Sequence, residues 1–180
     1  MFILGKSVGK SKKILAIILI FALFLRITFA LIVPIFEKPD EYSHFGYIDF
    51  VSDNKKLPVQ QEGQRSSEFY QPPFYHILAS SILSLIKIFT QNIWIHVIYM
   101  RILSVIVSMF TLYFIYKMAS LIFHNNNLVL GIVAFAAFLP SHINMNSTVT
   151  NANFGYLTAT LIMYLLLNIL IKGENKNKII

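Results

Sequence analysis

The chain contains no cysteine. That excludes a disulfide framework, a thiol nucleophile and any thiolate metal site. Charge is scarce: Asp, Glu, Lys and Arg make up 13% of the 180 residues, against about 25% in a soluble domain. No heptad or Gly-X-Y repeat is present, so a coiled coil and collagen are excluded, and the content of Ile, Leu and Phe excludes disorder. No basic stripe or nucleic-acid motif appears, so no nucleic-acid partner is expected. What the chain has is apolar length. Hydrophobic residues make up 56% of it, and the mean hydropathy is +0.65. The apolar residues come in long runs, which is the pattern of an integral membrane protein.

The net charge of +7 hides a segregation. Residues 37–73 hold seven of the eight acids and four basic residues, a net of −3, while the remainder nets +10. The basic residues outside that stretch sit mostly at the ends of apolar runs, as the positive-inside rule expects. Lys6, Lys10, Lys12 and Lys13 precede a run from Ile14 to Phe36 that is interrupted mainly by Arg26. At 1.5 Å per residue such a run reaches roughly 35 Å, enough to cross a bilayer core of about 30 Å. Its basic flank places the N-terminus in the cytoplasm. The rival reading is a cleaved signal peptide ending at Thr28-Phe29-Ala30.

Four further apolar segments follow, at Phe74–Phe89, Ile93–Phe123, Leu128–Ile143 and Phe154–Ile171. The tail carries Lys172, Lys176 and Lys178 and also prefers the cytoplasm. Two cytoplasmic ends require an even number of crossings. Phe74–Phe89 is short, dotted with serines and preceded by Pro72-Pro73, so it reads as a juxtamembrane or shallow re-entrant helix. The alternative is five crossings with the tail outside. The expected fold is all-α and integral to the membrane, with about four transmembrane helices plus juxtamembrane helices in the first outer loop. It forms a single membrane domain over 1–180. The parts are a cytoplasmic tail (1–13), a first span (14–36), an outer loop (37–92), the remaining spans (93–171) and a second cytoplasmic tail (172–180).

Two stretches of the outer loop carry chemistry. In the first, Pro39 fits the first turn of a helix, which puts Asp40 and Glu41 at the positive end of its dipole. Asp40, His44 and Tyr47 then share one face. Such a face presents a carboxylate and an imidazole to a substrate. The plainer alternative is that the acids cap the helix and His44 is interfacial. Asp and His at this spacing also suit a divalent metal, but no third ligand is apparent, so no metal site is assigned and the cofactor is unknown. In the second stretch, Glu68, Tyr70, Gln71, Tyr75 and His76 flank Pro72-Pro73 at the mouth of a helix. They suit a sugar or lipid headgroup, or alternatively an aromatic belt. Arg26 lies mid-span, where a cation costs about 2.5–3.5 kcal/mol, and must find a partner. Arg101 suits a lipid phosphate held bidentately, or simple snorkelling. The polar stretch Leu139–Asn153 lies on the outer face in this topology and includes the glycosylation pattern Asn146-Ser147-Thr148.

Taken in order, these features resemble the N-terminal part of GT-C-type membrane glycosyltransferases, the group of protein O-mannosyltransferases and the lipid A aminoarabinose transferase. The likeness consists of a first span with an arginine, Pro39-Asp40-Glu41 with His44-Phe45, then Leu57-Pro58 and Gln71-Pro72-Pro73-Phe74-Tyr75. Arg101 opens the next span, and Pro140 precedes the polar loop Asn146–Asn153. The likeness covers residues 20 to 170. It implies transfer of a sugar from a polyprenyl-phosphate carrier on the extracytoplasmic face. Asp40, with Glu41 and His44, is implied as the catalytic set. Arg101, Glu68, Tyr70, Gln71 and Asn153 are implied as substrate contacts. Asn153 stands where the family has an acid, and an amide cannot act as a base. The family is also several times longer, which implies missing spans or a second membrane subunit as partner, besides membrane lipids. The competing expectation is a non-catalytic membrane subunit that binds a lipid-linked sugar or a partner protein.

Overall fold

The computed structural model describes the backbone of residues 3–60 and 68–177, and side chains within 10–60 and 68–171. Gly63 of the polar segment and Lys178 of the tail lie outside the described residues. The chain forms seven helices: α1 (Ile3–Ile32), α2 (Glu41–Asn54), α3 (Phe74–Phe89), α4 (Ile93–Ile122), α5 (Asn126–Phe138), α6 (Pro140–Asn146) and α7 (Ala152–Asn177). No strand occurs among the described residues.

Three helical stretches are long and apolar enough to cross a membrane: Lys10–Ile32 of α1, Ile93–Ile122 of α4 and Ala152–Ile171 of α7. The segment expected as a single span over Leu128–Ile143 is divided. α5 and α6 meet at a 60° bend, and counting the pair as one span gives four. The cause is Pro140, which has no N–H and interrupts the helical ladder. It leaves the Ala136 carbonyl without a helical donor. His142 Nδ1 lies 3.0 Å from that oxygen, and Arg26 Nη1 donates to the neighbouring Ala137 carbonyl at 3.0 Å. Arg26 is fully buried, so the mid-span arginine finds its acceptors at the broken helix.

A second proline shortens the first span. α1 stops at Ile32 rather than reaching Phe36, because Pro34 pushes Val33 out of the helical region and cannot donate to Ala30. Where α1, α4 and α5 meet, two alanines stand among larger apolar side chains. Ala22 and Ala137 pack against Leu112, all three at 0% exposure. Small residues let backbones approach closely where lipid offers no hydrophobic contrast.

The other core belongs to α2 and α3 and the start of α4. Phe45 and Ile48 of α2, Tyr75, Ala79 and Leu83 of α3, and Val97 and Met100 of α4 form one buried cluster. α3 has 16 residues, roughly 24 Å at 1.5 Å per residue, which is short of a bilayer core. It lies beside α2, and the two run parallel. His44 pairs with His76 and Ser52 with Ser84, both 32 residues apart. Lys87 of α3 bridges Asp49 and Asp53 of α2 at 2.8 and 2.5 Å. Residues 55–73 connect the two in sequence, and 61–67 of them lie outside the described residues.

The absence of native cysteine makes the arrangement testable by single-cysteine labelling in sealed vesicles. α4 is long and apolar enough to cross a membrane; a crossing predicts that Lys56→Cys and Gln91→Cys react with an impermeant maleimide from one side, and Asn125→Cys from the other. Labelling of Gln91→Cys and Asn125→Cys from the same side would refute α4 as a span.

Candidate functional site

The helix at the first informative stretch begins at Glu41, two residues after Pro39, where the sequence implies its first turn. Asp40 is not inside the first turn. It is the residue before it, in the left-handed region at φ 56°, exposed, and its side chain makes no capping hydrogen bond. α3 likewise starts without a side-chain cap, directly after Pro73. Three helices begin close together. His44 of α2 meets His76 of α3, Phe154 of α7 packs on Phe74 and Tyr75, and Gln71 accepts from Asn151 at 2.5 Å. The positive ends of α2, α3 and α7 therefore converge.

Around that point lie most of the implied site residues. Gln71 Nε2 donates to Glu68 at 2.6 Å. Tyr70 is exposed, and its hydrogen bond with Glu68 pushes its phenol upward in pKa. His44 Nδ1 and His76 Nε2 are 3.2 Å apart, and His76 Nδ1 lies 3.3 Å from the Pro72 carbonyl. Tyr47 stacks on the His76 ring with centroids 4.0 Å apart and planes 9° apart. Burial pushes both imidazoles down, that of His76 to about 4 with His44 adding to the effect. Glu68 and Asp40 oppose the shift at His44, so both carboxylates stand near that ring. Among the described residues no three His, Asp or Glu side chains are placed to hold a metal ion.

Glu41 and Arg101 stand apart from this cluster and face each other. Both are fully buried, with Nε–Oε1 at 2.8 Å and Nη2–Oε2 at 2.6 Å. Arg101 also donates to the carbonyls of Ala30, Val33 and Pro34 at 2.8, 2.6 and 2.9 Å. Its five N–H groups meet five acceptors. The Ala30 carbonyl is the one that Pro34 leaves without a helical donor. Glu41 also accepts from the backbone N–H of Phe36 and of Val149 at 3.0 and 3.1 Å. In this arrangement neither residue is presented to a substrate.

Asn153 is buried too. Its Nδ2 donates to the Thr148 carbonyl, and its Oδ1 has no partner among the described residues. The glycosylation pattern is not displayed, because Asn146 has 0% exposure. Sequence reasoning passed over Lys38 and Asn151. Lys38 Nζ donates to the Ser147 carbonyl and hydroxyl at 2.6 and 2.7 Å. Burial, with Arg101 nearby, lowers its ammonium to about 8. The only sequence clue was its place beside Pro39-Asp40-Glu41.

No protein-family model, curated protein or solved structure matches the chain.

Two outcomes follow. Arg101→Met costs about 3–5 kcal/mol in unfolding measured in detergent, because it strands a buried carboxylate. Adding Glu41→Leu does not restore stability, since the three carbonyls stay unpaired; full recovery would contradict this. Separately, the folded state keeps His76 neutral down to about pH 4, whereas the unfolded chain protonates it near 6.5. The unfolded state binds more protons in that window, so stability falls as pH drops from 6.5 to 4. His76→Phe flattens that slope in a series of thermal midpoints.

Proposed function

We propose that the protein is a membrane glycosyltransferase, or the catalytic-loop part of one. It moves a sugar from a polyprenyl-phosphate carrier to an acceptor hydroxyl on the extracytoplasmic face. The observation that carries this reading is the meeting of Asp40, His44, His76, Glu68 and Gln71 at the shared N-terminal ends of α2, α3 and α7. These are groups that move protons and hold hydroxyls, set beside the spans that would deliver a lipid carrier.

The chemistry has two demands. The acceptor hydroxyl must lose its proton as its oxygen attacks the anomeric carbon, and the bond from that carbon to the carrier phosphate must break. The Asp40–His44 rim takes the proton, and a positioned base of this kind contributes about 10²–10⁴-fold. The departing phosphate carries the electron pair and needs positive potential. Arg101 was the implied source, but its donors are spent on Glu41 and the end of α1. The uncapped N-terminal ends of α2 and α3 are the better candidates, since helix N-termini favour phosphate. Glu68, Tyr70 and Gln71 offer hydrogen bonds to a sugar. The cytoplasmic assignment of the lysine-rich ends puts this loop outside.

A second reading has its own support. Glu41 and Arg101 neutralise each other and Asn153 is an amide, which favours a non-catalytic subunit that binds a lipid-linked sugar or a partner.

The deciding test is Asp40→Asn in the full chain, in membranes of its own source so that any partner is present. With a labelled polyprenyl-phosphate sugar, transfer falls by about 100-fold or more while the protein accumulates normally. Undiminished transfer would remove Asp40 from the chemistry, and transfer no greater than in membranes lacking the chain would leave only the binding reading.

A further inference from the structure

The two histidines form a directional pair, and the direction follows from their partners. The Pro72 carbonyl can only accept, so His76 Nδ1, 3.3 Å away, must carry the proton. A neutral His76 then has its lone pair on Nε2, which lies 3.2 Å from His44 Nδ1. His44 Nδ1 must therefore donate, and the lone pair of His44 falls on Nε2. That nitrogen has no partner among the described residues. His44 as a whole keeps 3% exposure.

Packing holds the arrangement still. Tyr47 stacks on His76, and Tyr75 meets the same ring edge-on with centroids 5.2 Å apart. His76 has 0% exposure and His44 3%. The groups that face the pair are Asp40 before α2, Tyr47 on α2, Glu68 in the connection from α2 to α3 and Tyr75 on α3. A held imidazole with its Nδ1–H bonded and its Nε2 lone pair without a partner among the described residues is poised as a base.

We propose that His44 Nε2 is the atom that takes the proton from the acceptor, and that His76 is a positioning residue that fixes the tautomer of His44 through the Pro72 carbonyl. This rests on the transferase reading above and divides labour within it. The acceptor O–H bond breaks toward His44 Nε2 as the new C–O bond forms. The bond to the carrier phosphate breaks with its electron pair, and Asp40 and Glu68 steady the imidazolium. His76 stays neutral throughout.

The tautomer is measurable without activity. The full chain, labelled with ¹⁵N-histidine and held in lipid nanodiscs, is examined by NMR at neutral pH, with His44 assigned by its loss in His44→Gln. The expected state is protonated Nδ1 and bare Nε2. His76→Phe keeps an aromatic stack but removes the acceptor, and should scramble that state. His76→Gln returns a carbonyl acceptor and should restore it. A His44 that carries its proton on Nε2, or that keeps its tautomer in His76→Phe, overturns the positioning role.

Transfer assays then address the base. His44→Gln loses about 100-fold or more and removes the acid limb of the pH profile, while His76→Phe loses about tenfold and His76→Gln recovers it. Unchanged transfer in His44→Gln overturns the base. If the tautomers behave as stated but no form of the protein transfers sugar, the positioning role stands and the transferase reading falls.

Discussion

The packing of α2 against α1 and α4 depends on one buried ion pair. Arg101 of α4 and Glu41 of α2 meet at full burial and share their remaining hydrogen bonds among the end of α1, the turn at Phe36 and the loop at Val149. Buried pairs are poor sources of net stability, because desolvation cancels most of the attraction. Their value here is geometric. Five fixed donors on a planar group set the depth of α4 against the end of α1, and Glu41 then sets where α2 begins. Because Glu41 is the first residue of α2 and Asp40 precedes it, the pair also decides where Asp40 and His44 stand.

The same device operates twice. Pro34 and Pro140 each deprive a carbonyl of its helical donor, at Ala30 and Ala136. An unbonded carbonyl is costly in hydrocarbon. In each case a buried arginine lies at the break: Arg101 donates to Ala30, and Arg26 to Ala137, next to the carbonyl that His142 meets. The cations and the breaks answer each other. A mid-membrane charge needs acceptors, and a broken helix supplies them.

The candidate site follows from the parallel pairing of α2 and α3. An antiparallel pair would set the start of one helix against the end of the other, and the dipole ends would cancel. Parallel pairing places both positive ends together, with α7 beside them. It also brings His44 against His76, although they are 32 residues apart. Burial lowers both imidazole pKa values, and the first N–H groups of the convergent helices point toward the same place. The chemistry of the site is thus set by helix direction as much as by side-chain identity.

Much of the helix plan was legible in the residues. Apolar runs marked α3, α4 and α7 to within a few residues, since helical spans need length and hydrophobicity and both are local properties. Pro72-Pro73 marked the start of α3, and Arg26 announced a need for partners. Boundaries at Pro34, Asp40 and Pro140 were less legible, because a proline can end, bend or begin a helix and only packing chooses. By itself the sequence determined a helical chain with spans long and apolar enough for a membrane, and an acidic segment between them. The tertiary structure alone decided that Glu41 and Arg101 face each other and that His44 meets His76. It also buried Lys38 and Asn153. Those outcomes rest on contacts between residues from 32 to more than 100 positions apart, or on enclosure by distant segments, which no local pattern encodes.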